Sequence, residues 1–222
     1  MLWTAVAANH KAQFLIDLGQ FARARQALEY ERPPVRSVQA RGANVAARID
    51  RALGHHAGQQ VVRAALDTLS AGDDPHVRMH LMLDAAEDND PQATLQRCDE
   101  ALQLAHQLEF AGVALKARLL RALAQSRAGQ TQEAALAMRE SVEQMAQLQP
   151  ADMYFGEAWW IAAQVFDANG DGDHSLLALA RGAQWVRRVA LPNVPDEFRE
   201  SFLTRNPVNR VLLAAADRRT PR

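Results

Sequence analysis

Punctuation at a nearly constant interval constrains this chain more than any other feature. Short turn signals stand at Gly19, Gly54, Asn89, Gly129, Gly170 and, more weakly, Asn206, separated by 35, 35, 40, 41 and 36 residues. Between them, apolar residues recur at helical spacing in paired runs. A period of that length accommodates a helix of about 14 to 16 residues, a tight turn, a second helix and a loop. One such pair cannot bury its own apolar face, so stacked neighbours must supply a continuous core. Composition agrees, because alanine supplies 43 of the 222 residues and aromatics only 6%, a poor inventory for sheets and a rich one for closely packed helices. The spacing predicts helices over 3–18, 21–31, 37–53, 57–71, 75–88, 91–107, 111–128, 131–148, 153–168 and 174–189. Proline-bearing stretches at 31–34, 71–75 and 191–195 separate the pairs, since proline cannot continue a helix and biases its predecessor away from one.

Small residues fall where two antiparallel helices must approach. Alanine lies seven positions before the first, second, fourth and fifth turns, at Ala12, Ala47, Ala122 and Ala163. Five positions after the turn stand Ala24, Thr94, Ala134 and Ser175, with Gln59 out of pattern in the second unit. A short side chain there lets the facing helix pack at the roughly 8 Å end of interaxial distances. Leu28, Cys98, Met138 and Leu179 follow as space-fillers. The stretches LGQFARARQALEY (18–30) and AGQTQEAALAMRESV (128–142) resemble tetratricopeptide repeats, and the resemblance extends over residues 3 to about 189. It implies an all-α, right-handed superhelical array of antiparallel helix pairs, about five repeats long.

The tail differs in character. Residues 194–219 read as a short amphipathic helix with Phe198, Phe202 and Leu203 on one side, a break at Asn206-Pro207, and a last helix carrying Val208, Val211, Leu212 and Ala215. An uncapped array leaves an apolar end in water, so these helices are expected to cover the fifth repeat. The organisation expected is therefore repeats over 1–190 and capping helices with a basic tail over 191–222. FRESFLTRNPVNRVLLAAA also resembles the C-terminus of large bacterial signal-transduction ATPases and transcriptional regulators. That resemblance implies the sensor end of such a regulator, and helical pattern beginning almost at Met1 fits a fragment of something longer.

Charge and chemistry narrow the function. The 25 basic and 26 acidic residues leave a formal charge of -1, so no global excess draws the protein to nucleic acid or anionic lipid. Locally, residues 1–60 carry 8 basic and 4 acidic groups, 61–180 carry 8 and 18, and 181–222 carry 9 and 4; the arginine-rich tail reads as a solvated cap rather than a DNA reader. The single cysteine, Cys98, makes no internal disulfide and sits at a packing position. The apolar run of the first residues breaks at Asn9, too soon for a signal peptide or a membrane span, so a cytoplasmic protein without membrane association is expected.

Residues Asp167, Asn169, Asp171, Gly172, Asp173 and Ser175 match the spacing of a calcium loop, but Ala178 stands where a bidentate glutamate belongs. A polar turn with an acidic or hydroxyl cap is the better reading. His76 and His80 are i and i+4, and His55-His56 form a second pair, yet neither comes with further ligands, and two histidines make no closed zinc site. The acid pairs Asp73-Asp74 and Glu87-Asp88 lie at turns, where solvation accounts for them. Nucleophile elbow, Walker and dinucleotide motifs do not occur. The expectation is thus a non-enzymatic module with no metal and no cofactor.

Such an array acts by presenting the concave face of its first helices. At a common turn phase this face carries Asn9, Gln13, Asn44, Arg48, Arg51, Met79, Leu83, Lys116, Arg127, Trp160 and Gln164. Adjacent helical residues point about 100° apart, so Trp159 and Trp160 should divide between core and groove. The partner expected is a protein or peptide segment, or another domain of the same parent protein, bearing acidic or amide groups and one apolar anchor. Self-association remains open to it. The alternative is a small-molecule effector bound in the same groove.

Overall fold

The computed structural model describes residues 2–31, 33–55, 57–86, 90–147 and 153–219. Among them there is no strand. The helices are α1 (Leu2–Asp17), α2 (Phe21–Ala27), α3 (Arg36–Ala52), α4 (Gly58–Asp67), α5 (Pro75–Ala85), α6 (Pro91–Gln107), α7 (Ala111–Arg127), α8 (Thr131–Gln147), α9 (Phe155–Ala168), α10 (Gly172–Gln184), α11 (Asp196–Thr204) and α12 (Pro207–Arg219). A π-helical segment over Trp185–Ala190 and a 3-10 turn over Leu191–Asn193 follow α10. No described helix is long and apolar enough to cross a membrane.

All ten helices expected from periodicity form, with shorter ends in places. α2 stops at Ala27 because its last turn tightens to i+3 bonding, after which Tyr30 donates its hydroxyl to Asn9 Oδ1 at 2.7 Å. α4 stops at Asp67, where the Thr68 hydroxyl takes the Ala65 carbonyl at 2.7 Å. Gly19, Gly54, Gly129 and Gly170 all have φ between 71° and 85°, the left-handed residue that closes a helix C-terminus at no steric cost. The third expected turn, at Asn89, and the acids Glu87 and Asp88 lie outside the described residues.

The chain forms two compact units. The first comprises residues 1–85 and 194–207. Within it α1 packs on α2 and α3 on α4, while α1 also lies against α3 and α3 against α5, so the first helices of successive pairs are neighbours. Ala12, Leu15, Ile16, Ala24, Val45 and Ile49 form one buried cluster, and Ala40, Ala65, Val77 and Leu81 another. The expected small residue of α4 is displaced by one position. Gly58, not Gln59, meets α3: a Cβ on it would lie 2.7 Å from the Ala47 carbonyl oxygen. Gln59 instead donates to the Ala85 carbonyl at the end of α5, at 2.8 Å.

The second unit comprises residues 86–193 and 208–222. Here α6 packs on α7, α7 on α8 and α9, and α9 on α10. Ala122, Ala134, Ala163 and Ser175 are all buried, as are the space-fillers Cys98, Met138 and Leu179. Burial foremost, with Asp99 beside it, pushes the Cys98 thiol up to about 12, so it packs as an inert apolar group. The tail is divided. α12 covers α9 and α10, with Leu212 against Gly182 and Asn209 accepting the Tyr154 hydroxyl at 2.7 Å. α11 serves the first unit instead: Ser201 donates to the Leu18 carbonyl at 2.7 Å, and Asn206 to the Asp17 carbonyl at 2.8 Å.

Candidate functional site

The second unit contains a cleft of about 290 Å³ whose walls come mainly from α7 and α9. Leu120, Leu123, Ala124 and Arg127 line it from α7; Glu157, Trp160, Ile161 and Gln164 line it from α9. Both sets have the spacing i, i+3, i+4, i+7, so each helix contributes one stripe two turns long, roughly 10 Å. Pro91 and Thr94 at the start of α6, Ala86, and Val208 of α12 complete the lining. Thr94 turns its hydroxyl inward, bonding the Ala86 carbonyl at 2.7 Å.

The adjacent tryptophans divide as expected. Trp159 is buried, with the Arg181 guanidinium 5.6 Å from its ring centre. Trp160 is half-buried in the cleft, and its indole N–H engages no described residue. Arg127 is exposed at the rim and has no ion pair or hydrogen bond with any described residue. Gln164, also in the lining, donates to the Trp160 carbonyl of its own helix at 3.3 Å. Glu157 is drawn across to Lys116, at 3.5 Å, and this pair ties α9 to α7. The result is a cleft that joins Leu120, Leu123 and Ile161 to one large aromatic, with the Arg127 cation in the last turn of α7 and the Glu157 carboxylate, paired with Lys116, in the first turn of α9.

Of the eleven residues anticipated on the inner face, the cleft gathers Arg127, Trp160 and Gln164, with Lys116 one ion pair away. The residues from the first unit are occupied otherwise. Asn9 is fully buried, donating to the Val38 carbonyl and accepting from Tyr30. Gln13 bridges Asp17 and Arg48, whose Nη1 donates to it at 2.6 Å. Asn44 donates to the buried Asp84 carboxylate at 2.7 Å, and Arg51 reaches the Asp84 carbonyl. Met79 and Leu83 are fully buried. Glu157, Leu123 and Ile161 are absent from the sequence reading, although each stands at helical spacing from a residue that it does contain.

The calcium-like loop is an interhelical turn tied down by arginines. Asp171 caps α10, accepting the His174 amide at 3.3 Å, while Arg139 and the His174 ring reach its carboxylate at 2.7 and 2.8 Å. The Arg139 hydrogen bond foremost, with His174, holds the Asp171 carboxyl down at about 2. Arg219 of α12 grips both oxygens of Asp167 at 2.7 Å and also donates to Ser175, which lowers the Asp167 pKa. Asp73 and Asp74 likewise organise a turn: Asp73 accepts from the Ser70 amide and hydroxyl, and Asp74 from the His76 and Val77 amides. Among the described residues no group of three or more His, Cys, Asp or Glu side chains is placed to hold a metal. The chain matches no family model, no curated protein and no solved structure.

Proposed function

We propose that this chain is a non-catalytic binding module, a tetratricopeptide-like repeat array that captures a protein or peptide segment in the α7–α9 cleft. We further infer that it is the sensor or regulatory part of a larger bacterial signalling or transcription-regulatory protein. The observation that carries the binding reading is the pairing of Trp160 with Arg127: a half-buried aromatic and an unpaired guanidinium at one small cleft. Five other described arginines of the second unit reach an acidic or amide side chain: Arg118 meets Gln144, Arg121 Asp99, Arg139 Asp171, Arg187 Asp217 and Arg219 Asp167. A cation without a partner beside a half-buried aromatic is the arrangement that binding energy exploits.

The cleft lies at the lower edge of the roughly 300–1,000 Å³ typical of small-molecule sites. Its size suits one large apolar side chain of a partner, with an acidic group of the same segment reaching Arg127 and a backbone N–H meeting Gln164. Screening labelled peptides with one aromatic or leucine anchor next to Asp or Glu tests this. Trp160→Ala should weaken the best binder by about 2 kcal/mol or more, about thirty-fold in Kd. Arg127→Ala should flatten its salt dependence. Leu136→Ala, on the exposed side of α8, should do neither; a binder that follows Leu136 and ignores Trp160 would move the site to the second helices. A metabolite that raises the melting temperature through Trp160, with no peptide binding, would favour the small-molecule alternative.

A further inference from the structure

His76 and His80 stand one turn apart on α5 with their Nε2 atoms 3.2 Å apart and ring centres 4.5 Å apart. That distance is a hydrogen-bonding contact between the rings in which the tautomer sets donor and acceptor. The same distance is also the bite of a chelate: with metal–nitrogen bonds of roughly 2.0–2.1 Å it subtends roughly 100° at an ion, between octahedral and tetrahedral angles. Both rings are half-buried, so helix packing limits their rotamers while solvent still reaches them. At this end of α5 the Asp74 carboxylate accepts two backbone amides and offsets the partial positive charge of the helix start. Arg41 and His10 lie within electrostatic reach and act against a cation.

We propose that His76 and His80 form a two-histidine chelate for a borderline divalent transition-metal ion of the zinc, nickel and copper class. Imidazole nitrogens select this class over magnesium and calcium, which require oxygen ligands. No third imidazole, thiolate or carboxylate among the described residues completes the set, so water or a donor from a bound partner fills the remaining positions. On binding, the ring that donates its Nε2 proton passes to the Nδ1–H tautomer through exchange with water. Both Nε2 lone pairs then face the ion, and each ring keeps one proton, on Nδ1. The site lies on α5 and is independent of the α7–α9 cleft.

Calorimetric titration of the full chain with Zn2+, and with Mg2+ for comparison, tests the proposal. One zinc ion per chain should bind at α5 and Mg2+ should not. His76→Ala and His80→Ala should each cost more than the roughly ten-fold that loss of an outer-shell contact causes. His80→Asn, which keeps a polar side chain, should behave like the alanine variant, and a retained circular-dichroism spectrum guards against misfolding. In imidazole NMR spectra, Ni2+ should broaden His76 and His80 before His55. Zinc binding that survives both alanine substitutions, or no saturation below millimolar ion, would overturn the assignment.

Discussion

At the scale of single residues, space between helices is what sets stability here. Ala122 and Ala163 are 0% and 3% exposed at positions where the facing helix approaches, so extra methylenes have nowhere to go. Ala122→Leu or Ala163→Leu should destabilise by about 1–3 kcal/mol in denaturant titration. Charge acts at the same scale at Asp171. Its folded-state value is depressed to about 2 from 3.8, so the unfolded chain takes up its proton first as pH falls. Stability from this group is complete above the unfolded value and is lost between about pH 4 and pH 2. Asp171→Asn should therefore lower the melting temperature at neutral pH and shrink its decline across that interval. Residues also mark the reach of pattern reading. Ala47 and Ala163 are legible as contact points because a short side chain at a fixed phase has a local signature. Gly58 is not, because its role depends on how closely the Ala47 carbonyl approaches it, and no pattern along the chain records that distance.

At the scale of elements, glycine turns carry two different burdens. Gly19 and Gly129 both have positive φ, 71° and 85°, and alanine at either would be strained by roughly 1–2 kcal/mol. They differ in surroundings. A Cβ at Gly129 meets nothing within 4 Å, whereas one at Gly19 would lie 2.5 Å from the Ser201 carbonyl oxygen. Gly19→Ala should therefore cost more than Gly129→Ala, and only Gly19→Ala should accelerate amide exchange across α11. Equal costs with undisturbed exchange would mean that α11 does not depend on this contact. The positive φ of Gly19 is readable from its place at the end of an apolar run. Its contact with a helix some 180 residues later is not, since nothing local to either segment encodes it.

At the scale of the whole molecule, the C-terminal helices divide their service. Residues 194–207 belong to the first unit, and residues from 208 onward to the second. Truncation after Asn193 would remove Ser201 and Asn206 from the end of α1, and Leu212, Asn209 and Arg219 from α9 and α10. Each lost hydrogen bond is worth about 1 kcal/mol, and uncovering Gly182 and Trp159 adds the cost of exposed apolar surface. Both units should lose stability. Amide exchange should quicken at the α1–α2 turn and along α10 alike, relative to the full chain. Quickening confined to α10 would show that the first unit does not need its returning helix.

Helix existence, helix order and turn chemistry were determined by the chain itself, because a 3.6-residue apolar period and a left-handed glycine act within a few neighbouring residues. The division of Trp159 and Trp160 belongs with them, since it follows from helix geometry alone. Tertiary structure decided which polar residues remain available for binding. Asn9, Asn44 and Arg48 stand on the same nominal inner face as Arg127 and Gln164, yet the former are consumed by Tyr30 beyond the end of α2, Asp84 of α5 and Gln13 of α1. The latter face a cleft. A hydrogen bond between helices depends on their separation and rotation, which arise only when the core packs.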